Sequence, residues 1–190
     1  MAHPEPAAAS GHRRANDDLA ALIRTIPDFP KPGILFRDVS TLLLDGPGFR
    51  AAIDRLATRV APGTELVAGV EARGFVVAAA LGYALGLGKL MLRKPGKLPG
   101  DKVGIDYALE YGSDRIEMHV GHVRAGQRVL LVDDLIATGG TALAAVELLR
   151  GAGATVEQTL FLVDLPDLGG ANRLRAAGVS ADALLAFPGH

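Results

Sequence analysis

Short apolar runs alternating with stretches of helical period leave this chain few folds to choose from. LVAGV (66–70), KLMLR (89–93), RVLLV (128–132) and the runs at 156–163 and 181–186 each have the length of a strand. Between them, Gly48 to Val60 sets Phe49, Ala52, Ile53, Leu56 and Val60 at helical spacing, and 74–85, 141–150 and 168–176 also read as helices. Strand and helix in turn are the pattern of an α/β fold with a mostly parallel central sheet flanked by helices. At 190 residues the chain is sized for one such domain.

No repeat or mid-chain linker interrupts the pattern, so a single domain is expected over 16–190. Residues 1–15 are rich in Pro and Ala and lack the apolar core of a secretory signal, which predicts a disordered extension and a cytoplasmic protein. Asn16 or Asp17 can cap a helix to about Ile23, ended by the prolines of 27–32, and FPKPGILFRD (29–38) reads as a loop and a short strand. The rhythm breaks at 94–119. There KPGKLPGDKVG is a mobile cationic loop, and YALEYGSDRIEMHV alternates around Gly112-Ser113 as an antiparallel hairpin, together an insertion over a site.

Composition removes several functions. With no cysteine, thiolate catalysis and Cys-based zinc sites are excluded. No apolar run is long enough to span a bilayer, and a net charge of −1 gives no global attraction to nucleic acid or membrane. His3, His12, His119, His122 and His190 show no metal-ligand spacing.

The chemistry concentrates in VLLVDDLIATGGT (129–141). A strand delivers Asp133 and Asp134 to the carboxyl edge of the sheet, where ligands of open α/β folds sit. Carboxylates there can accept hydrogen bonds from vicinal sugar hydroxyls or help hold a divalent cation. Ala137, Thr138, Gly139, Gly140 and Thr141 then supply small side chains, two hydroxyls and the free amides of a helix start, a phosphate cradle. Together they ask for a ligand with hydroxyls and a phosphate close together, such as a ribose 5-phosphate. Neither a Walker loop nor G-x-G-x-x-G is present.

This run resembles the signature of the type I phosphoribosyltransferases, which bind 5-phosphoribosyl 1-diphosphate. FPKPGILFRD, EARGF (71–75), RKPGKLPG (93–100), LEYG (109–112) and the terminal FPGH are similar, in order and spacing, to the bacterial adenine phosphoribosyltransferases. The resemblance covers nearly everything after the extension. It implies transfer of the 5-phosphoribosyl group to adenine, giving AMP and diphosphate, on a fold with a flexible lid at about 94–119 and a small hood. It also implies a homodimer, with EARGF and its helix near the partner, and neither nucleic-acid nor membrane partners.

Carried over residue by residue, the resemblance puts the ribose hydroxyls on Asp133 and Asp134 and the 5-phosphate on Ala137–Thr141. Diphosphate falls to Glu71, Ala72, Arg73, Arg93, Lys94 and Lys97, with Lys102 a further cation of the lid, and a non-proline cis peptide is expected at Glu71-Ala72. Mg²⁺ would be held by diphosphate and ribose oxygens, with Asp133 as a candidate ligand and no direct protein ligand assigned. Glu110 matches a glutamate proposed to protonate N7 of the base, Tyr111 would order the closed lid or contact the donor, and Arg73 is the third catalytic candidate. Phe36 is placed to stack on the purine, backbone groups of Leu35 and Arg37 to read its edge, and Leu165 to cover its other face. Pro95 and Glu71 depart slightly from the usual pattern. The same chemistry on hypoxanthine or xanthine, and a donor-sensing regulator without turnover, are the competing readings.

Overall fold

Five parallel strands, the inner three buried on both faces, form the frame that positions everything else. A computed structural model describes residues 16–108 and 112–189. Two small elements, α1 (Asp17–Ala20) and β1 (Arg24–Pro27), precede β2 (Leu35–Asp38), α2 (Ser40–Leu44) and α3 (Gly46–Ala57). Then follow β3 (Leu66–Val70), α4 (Arg73–Leu85), β4 (Gly88–Leu92), β5 (Lys102–Ala108) and β6 (Ser113–His119). The chain closes with β7 (Val129–Ile136), α5 (Gly140–Gly151), β8 (Gln158–Asp164), a 3₁₀ turn (Pro166–Leu168), α6 (Gly170–Ala176) and β9 (Ser180–Ala186).

The main sheet has the order β4-β3-β7-β8-β9, every pair parallel. Alternation along the strands sends side chains to opposite faces and builds two cores. Val67, Leu130, Val132 and Leu160 pack with Leu56 of α3 and Val77 and Leu81 of α4. Ala68, Leu131 and Phe161 pack with Ala145 and Leu149 of α5 and Leu174 of α6. This is the flanked parallel sheet expected, and no helix among the described residues is long and apolar enough to cross a membrane.

Local chemistry explains the element starts that matter. Asp45 caps α3 by accepting from Gly48 N at 2.7 Å, with Pro47 in the first turn. Gly69 and Gly74 let the β3–α4 turn press onto its strand: a Cβ at Gly69 would stand 2.6 Å from Gly74 O, and one at Gly74 2.6 Å from an Asp133 carboxylate oxygen.

Two hairpins leave the main sheet. β1 and β2 pair antiparallel as the hood, and β5 and β6 pair antiparallel as the expected insertion hairpin. The second is anchored along one strand: Ile116 and Met118 of β6 are fully buried in the main core, and Arg93 bridges to Glu117 after β4. Within the 94–119 stretch, β6 is thus rooted in the core.

Three expectations are corrected. The first helix stops at Ala20, because 24–27 pairs with β2 and Asp38 of that strand binds Arg24 at 2.6 Å. α2 was not expected, its five residues giving little periodicity to read. Most consequentially, β7 continues to Ile136, so Asp133 and Asp134 lie within the strand rather than beyond its end.

Candidate active site

At the carboxyl ends of β3 and β7 a cavity of about 320 Å³ gathers Glu71, Ala72, Arg73, Lys94, Asp133, Asp134 and all of 137–141. The residues expected to hold ribose, 5-phosphate and part of the diphosphate therefore share one space. Leu35, Phe36, Arg37 and Leu165 do not line it; they stand on β2 and on the turn after β8.

The acid pair is the electrostatic centre. Asp133 is half-buried, and desolvation of its carboxyl, with the Asp134 charge beside it, pushes it well above the ordinary range. The Asp134 N–H donates to Asp133 Oδ1 at 2.9 Å. Asp134 itself is held by Arg73, whose Nε donates to Oδ2. Burial opposes the Arg73 charge, but the Asp134 partnership and the nearby Asp133 and Asp38 carboxylates raise its pKa. Arg73 thus faces the strand acids first. The Glu71-Ala72 peptide bond that precedes it is cis, as expected.

The 137–141 turn is held from behind. Gly139 takes a left-handed conformation, φ 80°, just ahead of α5. Gly170 N donates to Ala137 O at 2.9 Å, and Arg173 Nη1 donates to Thr138 O at 2.8 Å. With those carbonyls tied to α6, the first-turn amides are left for a ligand. The fit is tight, since a Cβ at Gly170 would come 2.3 Å from Ala137 O. Gly170 and Arg173 escaped the sequence reading because their contact is long-range, and only the GG at 169–170 hinted at close packing.

The flanking cations are paired rather than free. Arg93 Nε donates to Glu71 Oε2 at 3.0 Å, and Lys94 N to the same oxygen at 2.8 Å. The Arg93 hydrogen bond holds the Glu71 carboxyl below its usual range. Glu71 therefore orders Arg93 and Lys94 at the edge of the cavity that it also lines. The Lys94 ammonium meets Asp114 and the Tyr107 hydroxyl, the latter at 3.0 Å. Burial works against its charge, yet these partners raise its pKa. Thr141 Oγ1 reaches the same Tyr107 hydroxyl at 3.2 Å, so hairpin, cation and turn meet at one oxygen. Tyr107 and Asp114 were missed because a solvent-facing strand residue and a bridging one look alike in sequence. Lys97 and Lys102 are exposed. Glu110 and Tyr111 lie outside the described residues.

On the hood, Phe36 is half-buried and meets Phe29 edge-on, centroids 5.1 Å apart, after a cis Phe29-Pro30 bond. Leu165 donates its N–H to Ile136 O at 3.0 Å, tying the turn after β8 to the end of β7. No cluster of three or more His, Cys, Asp or Glu side chains set for a metal occurs among the described residues. The acid pair suits a hard cation that takes most of its oxygens from ligand and water.

A parallel sheet with an acid pair and an amide-rich turn at its carboxyl edge defines a phosphoribosyltransferase. The profile of the phosphoribosyl transferase domain matches residues 40–170. An adenine phosphoribosyltransferase of Novosphingobium aromaticivorans is 61% identical over 175 residues, 92% of this chain and 98% of that one. That of Erythrobacter litoralis is 60% identical over 176 residues, again 92% and 98%. The crystal structure of adenine phosphoribosyltransferase from Thermoanaerobacter pseudethanolicus superposes with a TM-score of 0.85 at 42% identity, covering 90% of this chain and 99% of that one. The Saccharomyces cerevisiae enzyme, complexed with D-2,5-dideoxy-2,5-imino-altritol 1,6-bisphosphate and adenine, gives 0.81 at 34% identity, covering 90% and 98%. The chain belongs to the adenine phosphoribosyltransferase family and is a transferase.

An acid whose pKa is raised in the folded state binds more protons folded than unfolded, so stability falls as pH rises above the unfolded value of about 4. Asp133→Asn should therefore melt higher than the unaltered chain at pH 7, by about 2–4 °C for each kcal/mol recovered. The gap should close as pH approaches 4. Calorimetric scans across pH measure it, and a gap independent of pH would contradict the assignment.

Proposed function

We propose that the chain transfers the 5-phosphoribosyl group of 5-phosphoribosyl 1-diphosphate to adenine, releasing AMP and diphosphate in purine salvage. The observation that carries this is the single cavity uniting Asp133 and Asp134, the 137–141 turn and Lys94, in a chain of this family. In the reaction, the bond from ribose C1 to diphosphate breaks with its electron pair going to diphosphate, N9 of adenine bonds to C1, and the base gives up a proton. Positive charge develops on the ribose as negative charge develops on the leaving group.

The protein's part is to hold these charges in place. The amides and hydroxyls of Ala137–Thr141 seat the 5-phosphate, and Asp133 and Asp134 accept from the ribose hydroxyls. Arg73, Arg93, Lys94 and Lys97 face the diphosphate, with Glu71 fixing Arg93 by the 3.0 Å pair. Ala72 offers its amide there. Asp133 would help hold Mg²⁺ at the donor, and the chemistry the cation would supply there is neutralisation of charge on the leaving diphosphate. Phe36 and Leu165 sandwich the purine, and backbone groups at Leu35 and Arg37 read its edge. Glu110 serves as the acid at N7, lending a proton there as the N9 proton passes to diphosphate or water and taking it back once the C1–N9 bond has formed, with Tyr111 closing the lid against water, which would otherwise consume the donor.

The same reading makes the protein a cytoplasmic homodimer. Val76 and Tyr83 of α4 and Met91 of β4, the sheet's edge strand, are exposed, Tyr83 by 92%. Light scattering should give twice the chain mass, and a monomer at micromolar concentration would refute the dimer.

AMP formation should occur with adenine, require Mg²⁺, and be at least about 100-fold slower in kcat/KM with hypoxanthine or guanine, whose edges leave buried groups unpaired. A preference for hypoxanthine would overturn the adenine assignment. Donor binding without turnover of any purine would make the chain a sensor.

A further inference from the structure

We infer that residues 187–189 form a strap that sets the width of the base cleft, with Phe187 a positioning residue for adenine. The inference rests on the base site proposed above, whose two walls belong to separate parts of the fold. Leu35, Phe36 and Arg37 stand on β2, whose only ladder among the described residues is with β1. Leu165 stands at the turn after β8, inside the main sheet's frame. Among the described residues no backbone ladder joins the two walls, so their separation depends on side chains and on the chain that crosses between them.

The strap is that crossing. Leaving β9, Phe187 donates its N–H to Asp164 O at 3.0 Å, which adds one step beside the β8 residue preceding Leu165. Gly189 N then donates to Asp167 Oδ2 at 2.7 Å, closing the strap on the 3₁₀ turn. From the opposite wall, the Arg37 guanidinium lies over the Phe187 ring, 4.7 Å from its centroid. Its Nη2 reaches Pro188 O at 3.4 Å, and its Nη1 donates to Thr25 Oγ1 of β1 at 2.6 Å. Arg37 Nε is buried without a hydrogen-bond partner, so the ring face joins the two Nη contacts in holding this side chain. The same residue presents the backbone that reads the base. A movement of its side chain is thereby a movement of the adenine edge contacts.

None of the strap residues lines the donor cavity. Its loss should act on one substrate only. Phe187→Ala should raise KM for adenine about tenfold while KM for 5-phosphoribosyl 1-diphosphate and kcat stay within about twofold. Phe187→Tyr, which keeps the ring, should restore the adenine KM, and Phe187→Leu, which keeps bulk without the ring, should not. An unchanged adenine KM in Phe187→Ala, or both KM values rising together as general loosening would produce, overturns the strap. Full rescue by Phe187→Leu overturns the role of the ring. Absence of adenine turnover by the unaltered chain is a different result: it removes the base site itself, and the strap's role with it.

Discussion

Two adjacent carboxylates on a buried strand, answered by one arginine, set the terms for the rest of the molecule. Asp133 and Asp134 cannot both carry full charge in that environment without a counterion, because burial and mutual repulsion act in the same direction. Arg73 supplies it through Asp134, and Asp133 responds by holding its proton more tightly. The arrangement requires the start of α4 to lie against β7, which the missing side chains at Gly69 and Gly74 allow. The site is thus bound into the packing of the sheet.

A second consequence concerns the cations around the cavity. Arg73 faces Asp134, Arg93 faces Glu71, and Lys94 faces Asp114, so three positive groups are already matched by carboxylates. On the proposed reading, a polyanionic donor binds by exchange, its phosphates taking over partners that the protein now supplies. Exchange of this kind lets the cations sit at fixed positions before the ligand arrives, which lowers the ordering cost of binding. The Tyr107 hydroxyl, shared by Lys94 and Thr141, ties that exchange to the turn proposed for the 5-phosphate.

Much of this was legible in the sequence where local rules decide. Two-sided apolar runs and the helical spacing of 48–60 gave the parallel sheet and its flanking helices, and the acids followed by ATGGT marked the ligand edge before any coordinates. What stayed hidden was contact at long range: Arg173 behind Thr138, Asp114 on Lys94, and the clasp of Arg37 on Pro188 are separated by 35, 20 and 151 residues and leave no periodic trace. The strand end was misplaced for a physical reason. Aspartate disfavours strand interiors, yet β7 runs through both acids because ladder bonds to β8 continue past them.

The account's central claim is that one cavity holds the whole donor, and a structure of the protein with 5-phosphoribosyl 1-diphosphate and Mg²⁺ tests it most directly. The account predicts the 5-phosphate on the amides of 137–141, the ribose hydroxyls on Asp133 and Asp134, and the diphosphate on Arg93 and Lys94, with the Lys94–Asp114 pair broken. A donor bound with its 5-phosphate away from that turn, or with the acid pair untouched, would contradict it.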